Sequence, residues 1–238
     1  MSKKKKNHRE LLDKDVVIHY HMGFDRKDYK SRIDYITAEI EKVRVDFDHN
    51  LIEKNLASYK AHSYLDANKF ELAIEFFQKQ LTFMEKSDPF YLFPIQMLIR
   101  CYGEIGDFEK GLSWFEKAVN RFDQASGFDK LSCLQEYVHL IKKTENDFQE
   151  GYAYLINEIT EELGFPKTQG DSADRISELS RINIKWNRKT SEIHLLKLED
   201  TQKEISLWQN FIEECEVAWY KDYAKRCISG SKNRNKEN

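Results

Sequence analysis

Four groups of residues carry side chains able to do chemistry, and their spacing decides which chemistry is open to them. His19 and His21 flank Tyr20. An HxH pair can ligate a metal from a strand, but on a helix residues two apart point in different directions. The run Asp46-Phe47-Asp48-His49-Asn50 has the alternating oxygen donors of a calcium loop. It lacks the glycine and the closing glutamate that such a loop needs, and reads as a polar turn. Glu161-Glu162 and Glu213-Glu214 read as solvated helix faces rather than acid/base pairs. Cys101, Cys133, Cys215 and Cys227 form no CxxC pair and read as small, buried hydrophobes of a reduced compartment. There is no Gly-rich phosphate loop, HExxH or GxSxG motif. The expectation is a protein without catalysis, metal or cofactor.

The elements that would position these residues follow from the scarcity of chain breakers. Glycine (9) and proline (3) make up about 5% of 238 residues, against roughly 12% in average usage. Sandwiches and barrels built from many short strands need more turn residues, so long helices are expected. The 40% of hydrophobic residues is ample for a core. The net charge of −3 is unevenly spread: Met1–Arg9 holds +5 and Lys225–Asn238 holds +4, which leaves −12 on the body between. An acidic body argues against a duplex-binding domain, which needs a basic face, so nucleic acid is not the expected partner. The basic ends read as solvated tails at 1–8 and 229–238. No apolar run approaches a signal peptide core or a membrane span, so a cytoplasmic chain with no membrane partner is expected.

Aligned against itself, the chain repeats. The segments NKFELAIEFFQKQL, GDFEKGLSWFEKAV and NDFQEGYAYLINEI share an aromatic (Phe70, Phe108, Phe148) and a small residue three later (Ala73, Gly111, Gly151). A bulky apolar residue follows four beyond that (Phe77, Phe115, Leu155). A weaker copy, KDYKSRIDYITAEI, has Tyr29 and Ile36 in register but Arg32 at the small position. These offsets lie on one helical face, and the small residue lets a neighbouring helix come close. Asp28, Asp107 and Asp147 precede the aromatic as helix caps. Asp88-Pro89 reads as a cap followed by a first-turn proline, and Gly103 with Gly106 as an inter-helix turn. A second helical stretch lies upstream of each copy (Leu56–Asn68, Pro94–Ile105, Leu131–Lys143), and the opening segment offers Leu12, Val16, Tyr20 and Gly23 at helical steps.

The combined pattern runs through Tyr64, Phe70, Ala73, Phe77 and Gln80, and again through Tyr102, Phe108, Gly111, Phe115 and Ala118. It resembles the tetratricopeptide repeat, a helix–turn–helix unit. The likeness covers residues 9–165, departs from the pattern at Gln80, and lacks the proline that closes each unit. It implies an all-α, right-handed array of antiparallel helix pairs, a TPR-like α-solenoid, whose first helices line a concave groove for a peptide or another protein. The family's groove-facing spacing falls on Asn55, Ser58, His62 and Asp66, on Phe93, Gln96, Arg100 and Glu104, and on Glu136 and Lys143. The pattern by which chaperone-binding members clamp a peptide carboxylate is not reproduced.

Pro166–Asp171 reads as a linker, and residues 171–228 as a helical cap on the array. Within the cap, Ile182, Ile184 and Trp186 alternate, so residues 182–198 admit a helix or a hairpin. Thr201 and Glu204 form a capping box, followed by a stripe of Ile205, Trp208, Ile212, Cys215 and Trp219. That stripe would cap the array or serve as a homodimer seam. The leading functional expectation is a non-catalytic interaction protein: an adaptor, or a regulator or inhibitor of one partner, which the acidic body suggests is basic. A peptide or small-molecule sensor acting by helix repacking, and a nucleic-acid-associated protein using its basic termini, are the alternatives.

Overall fold

A chain with so few breakers satisfies its backbone amides within helices. The computed structural model describes residues 11–195 and 201–237, and among them there is no strand. Eleven α-helices follow one another: α1 (Lys14–Met22), α2 (Tyr29–Val43), α3 (His49–Asp66), α4 (Phe70–Thr82), α5 (Leu92–Glu104), α6 (Phe108–Val119), α7 (Gly127–Lys143), α8 (Tyr154–Leu163), α9 (Ser172–Leu195), α10 (Thr201–Glu214) and α11 (Ala218–Glu237). The basic tail expected at 1–8 lies outside the described residues. The chain divides into two compact units, residues up to Asn120 with His139–Asn146, and Arg121–Val138 with Asp147 onward.

In the first unit, three-residue connections join α3 to α4 and α5 to α6, short enough to turn each helix straight back on its predecessor. Each turn needs one left-handed residue: Gly106 at φ 75° in the second, Asn68 at φ 56° in the first. Asp28 and Asp107 accept the amides of Ser31 (3.2 Å) and Lys110 (3.1 Å) as caps. Asp48 caps α3 through Asn50 (2.8 Å) and Leu51 (3.3 Å), so the Asp46–Asn50 run starts a helix. Asp88-Pro89 does not: Asp88 instead accepts the Phe90 amide in a turn, and α5 begins at Leu92.

The repeated spacing becomes a core of Ala61, Ala73, Ile74, Phe77, Met97, Leu98, Cys101 and Tyr102. A β-carbon on Gly111 would fall 2.6 Å from Leu140 Cδ1, and one on Gly103 would fall 3.2 Å from Leu140 Cα. Gly103 is thus inside α5 as a close-packing residue, while Gly106 alone makes the turn. The third copy departs from expectation. Gly151 is exposed with open space around it, and Glu150–Tyr152 forms a 3-10 turn ahead of α8. The cause is Tyr137, whose phenol oxygen accepts the Gln149 amide (3.1 Å). The helix that Asp147 would have capped, from Phe148, starts six residues later at Tyr154.

In the second unit α9 is helical through the residues that admitted a hairpin, up to Leu195; residues 196–198 lie outside the described ones. Ile182 and Trp186 are buried one turn apart, whereas Ile184 faces solvent. The expected continuous stripe is broken at Cys215–Val217 between α10 and α11. There Trp186 Nε1 donates to Glu216 (3.1 Å) and the Ala218 amide to the Gly164 carbonyl (3.1 Å). Of the stripe, Ile205, Trp208 and Cys215 are buried in this unit, with Phe211 beside them, while Ile212 and Trp219 are half-buried. α11 runs through Glu237, where a polar tail from 229 is the sequence expectation. Among the described residues no helix is long and apolar enough to cross a membrane.

Gly111→Val forces a β-branched side chain into the space of the buried Leu140 side chain. Overpacking of this kind costs about 1–3 kcal/mol. Urea unfolding should show that loss, and adding Leu140→Ala should give a double variant more stable than the sum of the two single losses predicts.

Candidate functional site

Asn55, Ser58, His62 and Asp66 recur at steps of three and four along α3 and so share one face. The structure engages most of them. Asn55 Nδ2 donates to the Leu51 carbonyl of its own helix (2.8 Å). The imidazole of His62 lies between two phenylalanines, edge-on to Phe77 and tilted on Phe93, with centroids 5.4 Å away in each case. Asp66 accepts a hydrogen bond from Arg32 Nη1 (2.8 Å).

Arg32 is the residue that interrupts the repeat pattern, and it is buried. Its guanidinium lies over the Tyr20 ring, 4.6 Å from the centroid, an arrangement that a desolvated cation and an aromatic face favour. The Tyr20 hydroxyl donates to the Tyr59 carbonyl (2.6 Å) and pairs with Ser63 Oγ (2.8 Å). Arg32 Nε, also buried, has no partner among the described residues. This network, with His21 at its exposed rim, holds α1, α2 and α3 together. Arg32 stands at the small position of the repeat pattern, and the structure gives it two partners there, the buried Tyr20 ring and the Asp66 carboxylate.

On α5, Phe93 is 40% exposed beside His62, and Gln96 and Arg100 follow at steps of three and four. Arg100 is exposed and meets no carboxylate among the described residues. Glu104 does have partners: His139 Nε2 (2.8 Å) and Lys143 Nζ (3.1 Å). Burial alone would raise the Glu104 carboxyl; the hydrogen bonds from Lys143 and His139 outweigh it and hold the group below the usual carboxylate range. Lys143 is therefore at the face, as the sequence spacing suggests, and His139 joins it. Glu136 is not: it is buried and belongs to the other unit. One turn before Glu136 comes Cys133, a thiol pushed far up by burial, so this stretch of α7 looks inward.

The first unit thus presents a face in which α3 meets α5 through His62 and Phe93, and α5 meets the end of α7 through Glu104. Ser58, Gln96 and Arg100 lie along these helices without side-chain partners among the described residues. No group of three His, Cys, Asp or Glu among the described residues lies close enough to hold a metal ion. The arrangement suits non-covalent contact: one free guanidinium, one half-exposed aromatic ring and uncommitted polar groups. By fold it defines only a class, proteins of packed helices. No family model, curated protein or solved structure matches the chain.

Burial, with Arg32 and His21 nearby, lowers the pKa of His62 below the ordinary 6.5; Asp66 opposes the shift. The unfolded chain then binds more protons than the folded one in the interval below pH 6.5, so stability falls as the pH drops through it. His62→Phe, which keeps an aromatic between Phe77 and Phe93, should flatten the stability–pH curve below about pH 6.5. His21 is shifted in the same direction and is coupled to His62, so the same substitution in a His21→Gln background isolates the His62 contribution. Asp66→Ala leaves the buried Arg32 unpaired and should cost about 1–3 kcal/mol in urea unfolding, below the 3–5 of a fully buried pair because Asp66 is partly solvated. Arg32→Met, which removes the charge and keeps the stem, should cost less.

Proposed function

We propose that the chain is a TPR-like array of helix pairs working as a non-catalytic interaction protein, an adaptor or a regulator of one partner. It binds a peptide segment of that partner on the face of α3, α5 and the end of α7. The observation that carries this reading is the joined face itself. His62–Phe93 and Glu104–His139–Lys143 connect the three helices that the repeat resemblance assigns to a groove. Arg100 lies exposed between them without a carboxylate among the described residues. An unpaired guanidinium can take a peptide carboxylate bidentately, and the half-exposed Phe93 gives an apolar side chain somewhere to pack. The −12 carried by the residues between the basic ends favours a partner that is basic overall, through long-range steering rather than local contact. The partner would be a soluble protein, with no membrane required.

A photo-cross-linking amino acid at Gln96 should capture one partner at 1:1 stoichiometry, while the same group at Ile184, exposed in the other unit, should not. Arg100→Glu should weaken capture about tenfold, as loss of a charge-assisted hydrogen bond at a contact does. Glu104→Lys should alter it by disrupting the His139 and Lys143 positions, and raised salt should slow association. Equal capture from both positions, or silence of both substitutions, overturns the assignment of the face.

A further inference from the structure

The second unit contains a cavity of about 480 Å³ that the peptide-binding reading does not use. It lies within the size range of small-molecule sites. Three helices line it: Phe128 and Ser132 from α7, one face of α9, and Trp219, Tyr220 and Tyr223 from α11. Trp219 and Tyr223 lie parallel to within 8°, with centroids 5.5 Å apart, and Phe128 stands edge-on to Trp219 at 4.7 Å. Aromatic side chains therefore form one wall. The opposite wall is α9, which offers the carboxamides of Asn183 and Asn187 one turn apart.

Most of the lining side chains also carry a polar group, and the structure commits several of them: the His194 imidazole pairs through Nε2 with the Tyr223 hydroxyl (2.7 Å). Tyr220, whose phenol is pushed up to about 12 by burial, stays protonated and donates to Asn183 Oδ1 (2.8 Å). Asn183 is left to present its Nδ2 donors. Thr190 and Ser191 spend their hydroxyls on the Asn187 carbonyl of their own helix (2.7 and 3.0 Å). The Asn187 carboxamide has no partner among the described residues and keeps both a donor and an acceptor. No Asp, Glu, Lys or Arg lines the cavity. Beyond it, Arg226 lies over the Trp219 and Tyr223 rings at 5.9 Å from each centroid, and Lys221 is one turn upstream of Lys225 on the same helix.

We propose that this cavity binds a nucleobase, stacked on the α11 aromatics and read at its edge by Asn183 and Asn187. A neutral occupant suits the enclosed part, which has no carboxylate, ammonium or guanidinium in its lining and whose one imidazole, His194, is engaged by Tyr223. It is flat and mostly apolar with a few edge donors and acceptors, because the lining offers wide aromatic faces, the free Asn187 carboxamide and the Nδ2 donors of Asn183. A sugar would need more hydroxyl partners than Ser132 and the two carboxamides offer, since Thr190, Ser191, His194, Tyr220 and Tyr223 already have partners. A cationic ammonium would meet Arg226 over the same rings. An asparagine carboxamide pairs bidentately with an adenine edge, and aromatic stacking accepts any base. The phosphate that accompanies a base in a nucleotide would fall to Arg226. A free mononucleotide and an unpaired base of a single strand share this chemistry.

Titration of the full-length chain by calorimetry with AMP, adenosine, a ten-nucleotide single-stranded oligoadenylate and maltose tests the site. AMP should saturate at one site per chain. Trp219→Ala should weaken it about tenfold or more, and Asn187→Leu about tenfold. Arg226→Glu should weaken AMP and leave adenosine unchanged. Asn187 and Arg226 are exposed, so their variants report on binding even where Trp219→Ala disturbs folding; circular dichroism melting checks each. Tighter binding of the oligonucleotide than of AMP identifies a single strand as the source, and equal binding a free nucleotide. Absence of binding by AMP, adenosine and the oligonucleotide overturns the proposal. So does binding that Asn187→Leu and Trp219→Ala leave unchanged, or saturable maltose binding without AMP binding.

Discussion

Two missing β-carbons govern the architecture of the first unit. At Gly103 and Gly111 the backbones of α5 and α6 are bare, and Leu140 sits against both. Close-packed interiors do not absorb even a methylene without displacement, so this notch fixes where the end of α7 runs. His139 and Lys143 flank Leu140 in sequence and reach Glu104 because Leu140 is seated there. The polar face is therefore set by an apolar contact one layer beneath it. Hydrogen bonds at the surface add specificity to a geometry that packing has already chosen.

The opening helices solve the same problem by other means. Where a small residue would let α1 and α2 close on α3, Arg32 is present and fills the gap with a charge. Desolvating a guanidinium is expensive. Three contacts offset that cost: the Asp66 carboxylate, the Tyr20 ring and the hydrogen bonds that hold Tyr20 to Tyr59 and Ser63. Because Asp66 keeps one side in water, the pair is both a strut and part of the exposed face, and it tunes the His62 proton nearby.

Much of this is legible in the sequence where one interaction dominates. The period of Ala73, Phe77, Gly111 and Phe115 reports burial directly, and the helices follow. Asp28 and Asp107 are readable as caps because the relevant bond is local. What sequence does not show is competition from afar. Asp147 and Gly151 carry the same local signals as their counterparts, yet Tyr137, ten residues before Asp147, captures the amide that the helix start would have used. The break at Cys215 is similarly invisible, since its anchors, Trp186 and Gly164, are about 30 and 50 residues away. At the candidate site, Lys143 and Glu104 are found by spacing, whereas Glu136 satisfies the same spacing and is buried. Periodicity identifies a face of a helix; it does not say which neighbour covers that face.

The bond from the Ala218 amide to the Gly164 carbonyl also bears on the order of events during synthesis. In the helices from α1 to α6, each element packs on the next one along the chain, and such local contacts form quickly, as each helix leaves the ribosome. The clamp at Gly164 cannot close until Ala218 has been made, more than fifty residues later. Gly164 holds a left-handed backbone (φ 62°) and is packed against Ala218, so α8 stays without its terminal partner for more than fifty residues of elongation. Among the described helices α11 is thus the one that completes the second unit, and truncations there would leave a nascent chain with the first unit formed and the second with an open core.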